Sequence, residues 1–170
     1  MIVENYGGTV STVGGQMRLT IDNGANRNIR VAFGHQILAG DFDVQIDVAD
    51  WILTDNKELH AIFCIADKTH DNYYHVGIEI EAAGSAEDFV AEYQENGGGE
   101  VEIDRDDDVA DITGCKLRVK RVGTVLQGFY DAGSGWVAMT SRDMGAWAAE
   151  LVYVNCAIHE HENVGGSVEG

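Results

Sequence analysis

The sequence predicts an all-β domain, a sandwich or barrel of antiparallel strands. Three observations carry that expectation. Apolar residues recur with period two instead of 3.6. Turn-forming residues return at short, regular intervals. The best helical stretch, residues 143–150, amounts to about two turns.

Taken in chain order, residues 41–48 alternate strictly, with Phe42, Val44, Ile46 and Val48 on one face and acids or Gln45 on the other. One buried and one wet face is the pattern of an antiparallel sheet. Residues 61–66 are apolar on both faces and read as a central strand, as do residues 151–154. Val101 and Ile103 alternate with Glu100, Glu102 and Asp104, which would turn Glu102, Asp104 and Asp106 to one side. Leu117 and Val119 alternate with Lys116, Arg118 and Lys120. A pairing of this basic strand with the preceding acidic one would explain both. Between these runs stand Gly14-Gly15, Asn23-Gly24, Ala39-Gly40, Asp71-Asn72, Asn96-Gly97-Gly98-Gly99, Gly123-Thr124 and Asp131-Ala132-Gly133-Ser134-Gly135. Each is a turn composition, and with no proline in the chain the turns rest on Gly, Asn and Asp.

Length and charge bound the rest. At 170 residues and 45% apolar content, residues 1–170 are expected to form a single domain with a real core. A formal charge of -18 argues against nucleic acid, which is bound through clustered Lys and Arg, and against an anionic membrane surface. The N-terminus shows no basic and apolar signal segment, and no window approaches the ~18 apolar residues of a membrane span. Cys64, Cys115 and Cys156 are odd in number and far apart, which favours buried thiols over a disulfide scaffold or a zinc site.

Gly40-Asp41-Phe42-Asp43-Val44-Gln45-Ile46-Asp47-Val48 is followed by Glu58-Leu59-His60-Ala61-Ile62-Phe63 and by Asp71-Asn72-Tyr73-Tyr74-His75-Val76-Gly77-Ile78. Later come Leu117-Arg118-Val119-Lys120-Arg121-Val122-Gly123 and Gly128-Phe129-Tyr130-Asp131-Ala132-Gly133-Ser134-Gly135-Trp136. This order, over roughly residues 7–160, resembles the laminin-G-like branch of the concanavalin A-like lectin/glucanase superfamily. The resemblance implies a jelly-roll β-sandwich of two curved antiparallel sheets. Its members bind glycans or proteins, or hydrolyse polysaccharides. Such domains close with a last strand beside the N-terminal one. Here the sequence after residue 164 reads Gly165-Gly166-Ser167-Val168-Glu169-Gly170, which suggests an abbreviated strand, an open edge and assembly through the termini.

Eleven acids and one base fall between Glu87 and Asp111, more than half of the net charge. Within them, Glu102-Ile103-Asp104-Arg105-Asp106-Asp107 resembles the acidic strand motif of retaining glucanases, with Asp107 where the second Glu would stand. That makes Glu102 with Asp106 or Asp107 the pair for a hydrolase. Asp104, Asp106 and Asp108 have the opening spacing of a calcium loop. The Gly and closing Glu of an EF-hand are replaced by Val109 and Cys115, so a looser Ca2+ site is what the spacing leaves. His159 and His161 share a face but lack further ligands, and His35, His60, His70 and His75 show no ligand spacing. Trp136, Tyr130, Tyr74 and Trp51 are the aromatics suited to stacking on a sugar ring, and of the neighbours Tyr73 and Tyr74 one should face inward.

These residues describe a non-catalytic, lectin-like binding or interaction module, a surface or assembly component, with a glycan or protein surface as partner. Ca2+ is its candidate cofactor. Its expected place is extracellular or on a virion surface, reached without a signal peptide, as a homo-oligomer or assembly subunit. Two alternatives stand beside it: a virion structural protein that binds no glycan, and a retaining polysaccharide hydrolase.

Overall fold

A computed structural model describes residues 2–6, 8–13, 16–21, 27–49, 58–80, 87–109 and 114–161. In chain order the elements are β1 (Ile2–Tyr6), β2 (Gly8–Val13), β3 (Gln16–Ile21), β4 (Arg27–Leu38), β5 (Phe42–Ala49), β6 (Glu58–Ala66) and β7 (Tyr73–Ile80). They continue with β8 (Glu87–Gln94), β9 (Val101–Val109), β10 (Gly114–Val122), β11 (Val125–Asp131), β12 (Val137–Asp143), α1 (Gly145–Ala148) and β13 (Val152–His161). Seven strands form one sheet in the order β1-β4-β13-β6-β7-β8-β9. Four form a second, β12-β11-β10-β5, and β2 pairs with β3 as a hairpin. All these pairings are antiparallel. No helix among the described residues is long and apolar enough to cross a membrane.

The period-two runs decide which side chains meet. β5 alternates without a break, Phe42, Val44, Ile46 and Val48 turning inward. β10 does the same with Cys115, Leu117 and Val119, leaving Lys116, Arg118 and Lys120 on the outer side. The core lies between the sheets, where Phe63, Ile65, Tyr74, Val76, Ile78 and Phe89 meet Leu117, Val119, Leu126, Tyr130 and Met139. Each such buried side chain contributes about 1.5–3 kcal/mol. Tyr130 stacks on Phe89 across the layers, ring centroids 3.9 Å apart.

Parity also sends Arg121 into the apolar side of β10, where it is 1% exposed. Its guanidinium covers the Phe42 ring at 4.7 Å and donates to the carbonyls of Gly40, Ala148 and Glu150. One side chain thus ties the β4–β5 turn to the end of α1. The expected helix is that single turn, α1. Gly123, at φ +62°, takes the first position of the two-residue β10–β11 hairpin turn, a conformation L side chains rarely adopt. Gly128 is required by contact instead: a Cβ there would sit 3.0 Å from Tyr74 Oη and 3.1 Å from Val76 Cβ.

Two sequence expectations change. The basic strand β10 pairs with β5 and β11, while the acidic β9 is the edge of the other sheet beside β8. β9 does not keep one parity, because its register shifts twice against β8, between Ala91 and Glu92 and again between Glu87 and Phe89. Glu102 therefore faces the same side as Glu92, and Asp104 and Asp106 stand opposite Ala91 and Phe89 on the core side. Finally, the stretch after residue 164 that suggested an abbreviated closing strand lies outside the described residues. β13 runs ten residues between β4 and β6, and β1 pairs with β4, so both terminal strands are hydrogen-bonded internally. β1 is the outermost described strand at that end of the larger sheet.

Candidate functional site

Two polar surfaces flank the core. The first is the face of the seven-stranded sheet turned away from the smaller sheet. Alternation in β7 sends Tyr74, Val76 and Ile78 to the core, so Tyr73, His75 and Glu79 project to the far face. His60 of β6, Asp88 and Glu92 of β8, and Glu102 and Arg105 of β9 share it. These groups are sheltered despite their charge: His75 is 3%, Glu79 5% and Asp88 8% exposed. Arg105 donates to Glu79 at 2.6 Å, Asp88 at 2.8 Å and Glu102 at 2.7 Å. Burial works against that charge, but the Glu102 and Glu79 carboxylates more than offset it and hold Arg105 above its ordinary range. Burial pushes Glu79 up, with His60, 3.3 Å away, and Arg105 offsetting only part. At Glu92 burial is outweighed by the His75 hydrogen bond, with His60 and Arg105 adding to it, so its pKa falls.

At one end of this face, His75 Nε2 lies 2.6 Å from Glu92 Oε2 and His75 Nδ1 lies 3.3 Å from Glu100 Oε1. The Tyr73 hydroxyl donates to the same Glu100 oxygen at 2.9 Å, and its ring stacks on His75 at 5.9 Å. His75, Glu92 and Glu100 place one donor atom each within 4.8 Å of the others. Such a group is acceptor-rich, suited to a cation or to the hydroxyls of a ligand.

The second surface is the outer face of β10, β11 and the loop to β12. Arg118 forks onto Asp43 at 2.6 and 2.5 Å, and Lys120 reaches the same carboxylate at 3.4 Å. The Arg118 guanidinium lies 5.4 Å from the Phe129 ring centre and 5.2 Å from that of Trp136. Trp136 is 37% exposed. An open recess of about 380 Å³ lies on the same sheet, lined in part by Asp47, Lys116, Asp131 and Gly133.

The sequence candidates divide accordingly. Trp136 is on the surface, and Trp51 lies outside the described residues. Tyr74 and Tyr130 are 0% and 4% exposed and work inside. The Tyr74 hydroxyl donates to the Thr140 carbonyl at 3.1 Å and accepts the Gly128 N–H at 2.7 Å. The Tyr130 hydroxyl donates to Asp106. Asp104 accepts the Thr140 N–H of the edge strand β12. Asp104 and Asp106 thus stitch β9 to the second sheet from a strand, not a calcium loop, and of Asp108 only the backbone is described. Glu102 and Asp106 leave β9 on opposite sides, whereas a retaining pair needs its carboxyls on one side, about 5–5.5 Å apart. Asp107 is exposed, 3.8 Å from Arg105.

No protein-family model matches the chain, and no curated protein matches it in sequence. Solved structures do match. The carbohydrate-binding module CBM66 from Bacillus subtilis is 12% identical, with a TM-score of 0.56 over 94% of this chain and 91% of that one. The CBM2 module of the evolved Dit of Lactobacillus casei BL23 phage J-1 is 9% identical, with a TM-score of 0.66 over 91% and 72%. The Ca2+/Man2-bound exoplasmic/lumenal domain of VIP36 is 9% identical, with a TM-score of 0.58 over 98% and 83%. The fold is a concanavalin A-like jelly roll.

Within this jelly roll the sequence missed the His75–Glu92–Glu100 group. Its members come from β7, β8 and the turn before β9, so no local spacing announces it. The available signal was the β7–β8 register, which sets His75 directly across from Glu92.

Proposed function

We propose that this jelly roll is a non-catalytic, lectin-like module that binds a glycan on the outer face around Trp136. The observation that carries the reading is an exposed indole held by a cation. Trp136 presents its ring at the surface while Arg118, fixed in a fork by Asp43, lies 5.2 Å from the ring centre. An indole held in this way offers a flat apolar patch for the CH face of a sugar. Charged groups of the same sheet, Asp43, Lys120 and the recess residues Asp47, Lys116 and Asp131, supply donors and acceptors for hydroxyls. The likeness to the Bacillus subtilis carbohydrate-binding module and to a module of a phage Dit supports a glycan ligand and a place on an extracellular or virion surface.

A glycan array probed with the wild-type chain and with Trp136→Ala tests this. Binding to a defined glycan class, lost at least tenfold in the variant with unchanged circular dichroism, is expected. An array silent with and without added Ca2+ removes the glycan reading and leaves a structural component of a particle surface, which light scattering of the full chain would show as an assembly.

A further inference from the structure

We infer that His75 Nδ1 and Glu100 bind a nitrogen-preferring divalent cation of the Zn2+ class. His75 is 97% buried, being 3% exposed, and its Nδ1 is a buried nitrogen with no hydrogen-bond partner. Buried polar atoms are nearly always satisfied, so an orphan aimed at a carboxylate calls for an occupant. In the tautomer that donates Nε2–H to Glu92 Oε2, 2.6 Å away, the ring keeps a lone pair on Nδ1. That lone pair faces Glu100 Oε1 at 3.3 Å, two acceptors opposed without hydrogen-bond alignment. A cation between them turns the repulsion into two bonds.

The spacing agrees. With metal–ligand bonds of about 2.0–2.1 Å, neighbouring donors of a tetrahedral site stand about 3.3–3.4 Å apart. The donor type sets the class of ion, because Ca2+ and Mg2+ take oxygen shells whereas imidazole suits Zn2+ and its neighbours. The surroundings also fit a metal-bound histidine. A carboxylate on the far ring nitrogen fixes the tautomer and ring orientation, as Glu92 does here. The Tyr73 hydroxyl holds the Glu100 oxygen at 2.9 Å. The Glu100 side chain is 42% exposed, so solvent reaches the site and water or a ligand oxygen completes the shell.

The test is a titration of the full chain with ZnCl2 and, separately, CaCl2, followed by side-chain 1H–15N correlation spectra of the histidines. The His75 resonances are assigned by their loss in His75→Gln. Zn2+ is expected to shift His75 Nδ1 while Nε2–H persists, and Ca2+ to leave both in place. Glu100→Gln, a change at a half-exposed side chain, is expected to weaken Zn2+ binding at least tenfold with an unchanged amide spectrum. The inference is overturned if Zn2+ moves only other histidines, if Glu100→Gln binds as well as wild type, or if His75 is doubly protonated at pH 7 and stays so with Zn2+.

Discussion

Arg121 shows how one residue can close a fold without taking part in its surface. Truncation to Ala would leave the carbonyls of Gly40, Ala148 and Glu150 without their donor and uncover Phe42. A loss of about 3 kcal/mol or more in chemical denaturation is expected, and Arg121→Lys should recover little, because an ammonium cannot reproduce a planar fork spanning two segments. A variant within about 0.5 kcal/mol of wild type would refute this role. Residue 121 shares the parity of Leu117 and Val119, but nothing in the sequence shows what a buried guanidinium would find there. The two inward tyrosines give a second prediction. Burial pushes the Tyr74 hydroxyl well above its ordinary range, and burial together with the Asp106 carboxylate pushes Tyr130 up to about 12. A phenol with a raised folded pKa favours the native state fully below the unfolded value near 10, and that share of stability is lost as pH rises toward 12. Absorbance at 295 nm should show part of the chain's six tyrosines ionising only together with unfolding. Complete ionisation near pH 10 with native circular dichroism would contradict the buried placement.

At the level of elements, the strands and turns were legible where the alternation is uninterrupted, as in β5 and β10, because burial on one face repeats every second residue. They were not legible in β9, where two register shifts re-aim side chains that a strict count would align. The shift between Ala91 and Glu92 separates Glu102 from Asp106 and turns two would-be calcium ligands into ties between sheets. The consequence is testable at Asp104, whose carboxylate caps the Thr140 N–H on the edge of the smaller sheet. Asp104→Ala should destabilise the chain by about 1–2 kcal/mol, and Asp104→Asn, which keeps an acceptor oxygen, by less. The loss should be the same in EDTA and in millimolar Ca2+. A stability difference that vanishes in EDTA would return Asp104 to a metal site.

For the whole molecule, the charge of -18 is arranged as much as accumulated. On the far face one Arg105 stands among Glu79, Asp88 and Glu102, and on the outer face Arg118 and Lys120 share Asp43. At Asp43 local pairing favours the ionised carboxylate, while the excess of like charge acts over longer distances and opposes compaction. The two effects separate by salt and by acid. Long-range repulsion is screened within about 8–10 Å at 0.1–0.15 M salt, so the melting temperature at pH 7 should rise with NaCl from 10 mM to 0.5 M. Protonation acts in the other direction on particular groups. The hydrogen bond and charge of Arg118 hold Asp43 below its ordinary value, and at Asp67 the Asn72 and Thr69 hydrogen bonds outweigh a burial penalty to the same end. A carboxylate with a depressed folded pKa stabilises the native state above its unfolded value near 4, and that contribution is lost as pH falls through the folded one. Melting temperature should thus rise with salt at neutral pH yet fall below about pH 4 at fixed salt. If acid raised it steadily instead, relief of repulsion would dominate, and the ion pairs on both faces would be decoration on a fold held by its core alone.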